Sequence, residues 1–331
     1  MCLSFYVFMC LPRAGHLGGR QVYVFLCFGY SPLYVYTSIP PYPYTSIPPY
    51  PYALYPISLY LYTLPKNLTF TGDMQTNSEI EALLPVAIRA AEEACKAILE
   101  VYASSDFETE QKDDNSPLTL ADRRSHDSID EQLAKTGLPV LSEEGANIQY
   151  EERKHWSRFW MVDPLDGTKE FLKRNGEFTV NIALLDNNLP VLGVVALPVT
   201  GDLYYGMKGT GAHLRSNGTL TRLKERMPAD LKMPGLRVVA SRSHMNDATR
   251  AYIGKLTSPQ LISAGSSLKF MAIAQGDADL YPRYVPCMEW DSAAADVIVR
   301  EVGLRTIDVN TNEPLRYNKE NLLNPYFICG L

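Results

Sequence analysis

The first 72 residues of this 331-residue chain contain no aspartate and no glutamate, and Arg13, Arg20 and Lys66 are their only Lys or Arg side chains. The same segment holds 12 of the 21 tyrosines and 10 of the 23 prolines, and it repeats Thr-Ser-Ile-Pro-Pro-Tyr-Pro-Tyr at 37–44 and again at 45–52. Proline at this density removes the N–H groups and backbone freedom that helices and sheet ladders need, which leaves extended, polyproline-like chain. Two copies are too few for a stacked solenoid. Met1–Cys10 is apolar but has no basic leader and no clean small-residue cleavage site after it, which argues against a signal peptide. Arg13, Arg20 and the prolines break up any run of the about 20 apolar residues that a membrane span requires. Residues 1–73 are therefore read as an upstream translated extension outside the fold, with a membrane-surface anchor as the alternative. The fold is expected over 74–331, opened by Met74.

Residues 73–331 carry all 37 acids and all but three of the 31 lysines and arginines. At 46% hydrophobic and 21% charged residues, the chain has material for a sizeable core. Its length suits two domains or one large α/β unit. A net charge of -6 argues against a nucleic-acid polymer as partner, which would need a basic face. It leaves room for a small phosphorylated substrate, because bound cations reverse a local field. Cys95, Cys287 and Cys329 are far apart, and no C-x-x-C occurs, so neither a disulfide framework nor a zinc cluster is expected and a reducing cytosol fits. The scattered histidines give little support to a transition-metal site.

Periodicity predicts a first helix over 78–102 with a Ser78/Glu81 capping box, and a second over 120–135 stopped by Gly137. Short buried strands are predicted at 139–142 and 159–162. An antiparallel meander follows at 178–185, 191–197 and 203–207, turned at Asn187-Asn188 and Thr200-Gly201-Asp202. Further strands are predicted at 236–241, 260–263, 278–281 and 305–308, with helices at 248–256, 267–275 and 291–302. Such a mixture indicates an α/β or α+β sandwich. The chain changes character near 223–234, which suggests halves at 74–223 and 235–331.

The densest chemical signal is Asp163-Pro164-Leu165-Asp166-Gly167-Thr168 at the end of an apolar strand. Two carboxylates and the Leu165 carbonyl make a compact all-oxygen ligand set suited to Mg²⁺. The amides of Gly167, Thr168 and Lys169 at a helix start would attract phosphate. Alone, an Asp-x-x-Asp turn does no more than cap a helix. Here Glu143-Glu144-Gly145 also follows a strand, and Trp290-Asp291-Ser292-Ala293-Ala294 opens a helix. Asp291 alone reads as an N-cap and Asp122 as a surface acid. Gly209-Thr210-Gly211 reads as a turn, not a dinucleotide loop.

D-P-x-D-G-T, the acidic pair before it and the late W-D-x-A-A resemble the inositol monophosphatase superfamily of metal-dependent, lithium-sensitive phosphatases, across nearly all of 74–331. Asp114–Thr119, Val140–Glu144, Val162–Leu185, Gly265–Phe270 and Tyr281-Pro282-Arg283 are most similar to its bacterial 3′(2′),5′-bisphosphate nucleotidase branch, the CysQ type. The resemblance implies a layered αβαβα sandwich. It implies Mg²⁺ ligands at Glu143, Asp163, the Leu165 carbonyl, Asp166 and Asp291. Catalytic roles fall to Asp122, Glu143 and Thr168, with Asp122 and Thr168 orienting the attacking water. The substrate would lie against Glu143, Leu165, Asp166, Gly167, Thr168 and Asp291, with Ser266, Lys269, Arg283 and His244 facing a nucleotide. Two departures stand out: Ala295 replaces a usual glycine and would crowd the pocket slightly, and Cys287 replaces a small hydroxyl residue.

The implied reaction is hydrolysis of the 3′-phosphate of adenosine 3′,5′-bisphosphate, clearing a by-product of sulfate assimilation. The alternatives are an inositol monophosphatase or related sugar phosphatase, and a nucleotide-binding sensor without turnover. The expected setting is the cytoplasm, or the cytoplasmic face of the inner membrane. The expected state is a monomer or weak homo-oligomer.

Overall fold

The computed structural model describes residues 71–104, 110–111, 117–145, 147–240 and 245–331. Residues 1–70, the Asp114-Asn115-Ser116 part of the motif above and His244 lie outside them. The described residues fall in one compact unit.

Helix α1 (Thr71–Ala103) begins seven residues before the expected Ser78 cap, so Ser78 lies inside the helix. Its inward face is a run of small and branched side chains, Ala87, Ala90, Ala91, Ala94 and Ile98, all fully buried. A two-residue pair, β1 (Glu110–Gln111) with β2 (Pro117–Leu118), precedes α2 (Leu120–Leu133). Thr119 caps α2: its hydroxyl accepts from the Ala121 and Asp122 amides, and Asp122 accepts from the Thr119 amide. A 3₁₀ turn and Gly137, at φ 68, end the helix.

The main sheet runs β3 (Val140–Ser142), β4 (Arg158–Asp166), β5 (Thr179–Asp186), β6 (Leu189–Ala196), β7 (Leu203–Met207), β8 (Gly211–Ser216) and β9 (Thr219–Arg222) in spatial order. Short helices α3 (Tyr150–Arg153) and α4 (Thr168–Leu172) flank β4. Only the β3–β4 pair is parallel; the rest is the expected meander, extended by β8 and β9, which the sequence reading missed. Asn187 and Asn188 both have positive φ, as a tight two-residue hairpin requires.

Both faces of the main sheet are covered. Val180, Ile182 and Leu184 of β5 pack towards α1 and α2, while Ala183 and Leu185 point the other way. The second half of the chain supplies β10 (Arg237–Ala240), α5 (Asp247–Ile253), β11 (Gln260–Ser263), α6 (Leu268–Gln275), β12 (Tyr281–Arg283), α7 (Ala293–Glu301), β13 (Thr306–Asp308) and β14 (Phe327–Cys329). Helices α6 and α7 share a core with that second face. Gly193 of β6 permits the approach, since a Cβ there would meet the Ala294 carbonyl at 2.1 Å. Beyond them β10 pairs with β11, and β14 lies between β12 and β13. A single Val238–Leu280 bridge joins these two small sheets. Val239 faces α6 and α7, whereas Val238 and Ala240 face α5. The order helices, sheet, helices, sheet, helix is the expected αβαβα sandwich. Ala295 does not reach a pocket: its methyl is fully buried in the core.

Candidate active site

Four chain segments deliver the acids to one edge of the main sheet. Because β3 and β4 are parallel, their C-terminal ends share that edge, and Glu143 and Asp163 follow from it. The Glu143 amide continues the ladder by donating to the Val162 carbonyl at 3.1 Å.

Strand β4 does not stop at Val162 as expected but runs on to Asp166. Asp163 pairs with Asn181 and Asp166 with Thr179, so β4 spends three steps where β5 spends two. Residues three apart on a regular strand face opposite ways. One extra residue, a β-bulge, turns both aspartates to the same face. Pro164, which has no N–H to donate, sits in the bulge. Its carbonyl accepts from Ser125 at 2.6 Å, and the Leu165 amide donates to Asp163 Oδ1 at 3.0 Å.

Asp291 enters from the other half, in a 3₁₀ turn ahead of α7, where its Oδ2 accepts from the Met288 amide at 3.1 Å. One carboxylate oxygen from each of Glu143, Asp163 and Asp291 lies within 4.8 Å of the other two, a cluster able to hold a metal ion. Burial drives the Asp163 pKa well above the usual carboxylate range, and Glu143, Asp166 and Asp291 add to it by repulsion. Burial also pushes Asp291 up to about 8, with Asp166 and Glu143 reinforcing and Arg283 opposing. Buried, like-charged oxygens of this kind call for a hard divalent cation, and the donor set fits one.

Asp122, not a surface acid but 1% exposed, stands on the opposite flank. Its Oδ2 accepts from the Thr119 amide at 2.7 Å and hydroxyl at 2.5 Å, and its Oδ1 accepts from Thr168 Oγ1 at 3.1 Å. Thr168 opens α4 just after Gly167, whose φ of 98 and whose Cβ position, 2.1 Å from Ser266 Oγ, exclude any side chain.

Lys269 and Arg283 line one pocket with Met245, Thr249 and Tyr281. The Lys269 ammonium is buried 5.6 Å from the Tyr281 ring centre, and burial, aided by Arg283, lowers its pKa to about 8. Arg283 donates to the Tyr281 hydroxyl at 2.9 Å and reaches to 4.0 Å from Asp291 Oδ2. The Ser266 hydroxyl lies 2.8 Å from the Asp166 carbonyl and 2.9 Å from that of Glu177, which fastens its loop to the β4 bulge. Cys287 is buried, with Sγ 3.5 Å from Asn324 Nδ2. Sequence reasoning assigned no role to Ser267 and Asn181, whose polar atoms lie 2.9 and 3.5 Å from Asp166 Oδ2.

An acid cluster at a sheet edge, flanked by the first turns of α2, α4 and α6, defines a phosphatase-type scaffold built for divalent cations. Residues 79–327 match the inositol monophosphatase family, and the chain belongs to that family. It is 43% identical over 249 residues to the 3′(2′),5′-bisphosphate nucleotidase CysQ of Salmonella typhimurium, covering 74% of this chain and 98% of that one. The same-named protein of Escherichia coli K12 is 42% identical over the same length, with the same coverage. A crystal structure of CysQ from Bacteroides thetaiotaomicron superposes with a TM-score of 0.67 at 47% identity, over 76% of this chain and 98% of that one.

Proposed function

We propose that the chain is a Mg²⁺-dependent 3′(2′),5′-bisphosphate nucleotidase that converts adenosine 3′,5′-bisphosphate to AMP and phosphate. The observation that carries this reading is the convergence of Glu143, Asp163 and Asp291 beside the Asp122–Thr168 pair. The names of its relatives support the substrate class.

Glu143, Asp163, the Leu165 carbonyl, Asp166 and Asp291 are the assigned ligands. Bound divalent cations would neutralise these acids, polarise the phosphoryl oxygens and make a water acidic enough to attack at neutral pH. Thr168 Oγ1 takes the proton of that water as its own hydrogen moves towards Asp122 Oδ1, and Glu143 assists as a second acceptor. The water oxygen bonds to phosphorus, the bond from phosphorus to the 3′-oxygen breaks, and that oxygen takes a proton from solvent water while Asp122 returns its own to solvent. Charge builds on oxygens in a loose transition state, so positioning supplies most of the acceleration. The Gly167 and Thr168 amides face the phosphate. Lys269 and Arg283 hold the far end of the nucleotide, with Ser266 keeping the intervening loop in place; His244, outside the described residues, is assigned to the nucleotide by the family resemblance.

The same reading places the enzyme in the cytoplasm, as a lithium-sensitive monomer or weak homo-oligomer that clears a by-product of sulfate assimilation. No helix among the described residues is long and apolar enough to cross a membrane. Liposome co-sedimentation of the full chain against 74–331 tests whether the first 73 residues add a membrane contact.

The deciding experiment is a phosphate-release panel in saturating Mg²⁺. Adenosine 3′,5′-bisphosphate should be turned over in clear preference to inositol 1-phosphate. The opposite preference would make the chain an inositol monophosphatase, and binding without release would make it a sensor.

A further inference from the structure

Helix α6 begins without the cap its sequence offers. Serine is favoured at an N-cap because its hydroxyl accepts a hydrogen bond from a first-turn N–H. Ser267 holds that position, yet its backbone is helical, φ -68 and ψ -7, and its side chain makes no capping bond. The hydroxyl donates instead to Asp166 Oδ2 at 2.9 Å, across 101 residues of sequence, and lies 3.3 Å from the Asp291 carbonyl oxygen. Ser267 is 1% exposed, so bulk water does not compete for that hydrogen. Hydrogen bonds to an ionised acceptor are about twice as strong as neutral ones, which favours the carboxylate over the carbonyl.

Asp166 Oδ2 also has Asn181 Nδ2 at 3.5 Å. With Oδ2 held by donors from α6 and β5, Oδ1 is the oxygen left to meet a cation. The hydroxyl thus ties a carboxylate of the β4 bulge to the α6 start. This connects the two halves of the chain at the metal cluster itself. Groups behind a metal ligand fix its orientation, and their loss typically costs about 10–100-fold in metal affinity or activity.

We propose that Ser267 is a positioning residue that selects which Asp166 oxygen is presented to the divalent cation. The proposal rests on the metal-dependent reading of the site given above. The adjacent Ser266, whose φ of 43 turns its hydroxyl away to two backbone carbonyls, has no such part.

The test uses the full chain, stripped with EDTA and titrated with MgCl₂, with binding read by calorimetry and by melting temperature. Ser267→Ala should weaken Mg²⁺ binding by about 10–100-fold and lower the metal-free melting temperature by no more than the loss of its one hydrogen bond to Asp166, since no capping bond goes with it. Ser267→Thr, which keeps the hydroxyl, should restore affinity. In turnover assays the Mg²⁺ requirement of Ser267→Ala should rise, with KM for adenosine 3′,5′-bisphosphate unchanged once Mg²⁺ saturates. Unaltered Mg²⁺ affinity in Ser267→Ala, while the parent chain binds, would overturn the proposal and leave the nucleotidase reading standing. Loss in both the Ala and Thr variants would assign the effect to packing and also overturn it. Should Ser267→Ala not fold, Ser267→Cys decides, since parent-like Mg²⁺ binding with a thiol, a weak donor, would overturn it too. Absence of any Mg²⁺ response in the parent chain would remove both readings together.

Discussion

Thr168 Oγ1 donates to Asp122 Oδ1 at 3.1 Å, and the other oxygen of Asp122 is held by the Thr119 amide and hydroxyl. The carboxylate is therefore fixed from its own helix and presents one oxygen to α4. Removing the Thr168 hydroxyl while keeping its shape, as Thr168→Val does, should lower kcat by about 10²–10⁴-fold. Mg²⁺ affinity should stay near that of the parent, and Thr168→Ser should recover most of the rate. Steady-state phosphate release combined with Mg²⁺ titration measures both.

Asp166→Asn should cut turnover by orders of magnitude and leave the fold intact. The side chain lies at the bulged end of β4 and not in either core that flanks the main sheet. Circular dichroism should overlay with that of the parent. A twofold loss of activity would count against a ligand role.

Metal-free protein should lose stability as pH rises. The folded pKa of Asp291, about 8, lies above its ordinary 3.8, and Asp163 is shifted the same way. A raised carboxyl pKa means that the native state holds the proton more tightly than the unfolded chain. The resulting stability is complete below about pH 3.8 and is lost as pH climbs through about 8. Melting temperature in EDTA should therefore fall between pH 5 and pH 8, on the order of the window set by those two values, and Mg²⁺ should flatten the decline.

Lys269→Met, which keeps much of the buried stem, should raise KM for the bisphosphate more than it changes the Mg²⁺ requirement. In the parent, KM should also climb as pH passes through about 8, where the buried ammonium loses its charge. An unchanged KM in the variant would separate Lys269 from the substrate.

Glu289, fully buried, accepts from the Asn318 amide at 2.5 Å and from the Lys319 amide at 3.1 Å, and it pairs with the Lys319 ammonium. Asn318 in turn accepts from Arg153 at 2.7 Å. Lys319 is 30% exposed and can turn to water, but Glu289→Ala leaves the Asn318 and Lys319 amides without their acceptor, so it should cost about 1–3 kcal/mol by urea unfolding.

Much of this was legible in the sequence because the central strands are buried on both faces and read as predominantly apolar runs. β9 carried no such signal, since all four of its residues are exposed. β14 is only three residues long and fully buried, without an alternation to mark it. Glu143, Asp163 and Asp166 were legible because they sit at strand ends, whereas Asp122 on α2 and Asp291 in a 3₁₀ turn were reached only through the family resemblance. The bulge that turns Asp163 and Asp166 the same way depends on pairing with β5, which no local pattern records. Nor could two adjacent serines be told apart: the left-handed backbone at Ser266 sends its hydroxyl one way and that of Ser267 another.

The position of β14 between β12 and β13 also sets an order of events during synthesis. The main sheet is contiguous in the chain and can assemble while translation continues. The smaller one has a gap in its middle until Phe327–Cys329 clears the ribosome. By then every acid of the cluster, up to Asp291, has already emerged, so the nascent polypeptide displays the carboxylates able to hold a cation before the architecture behind them is closed.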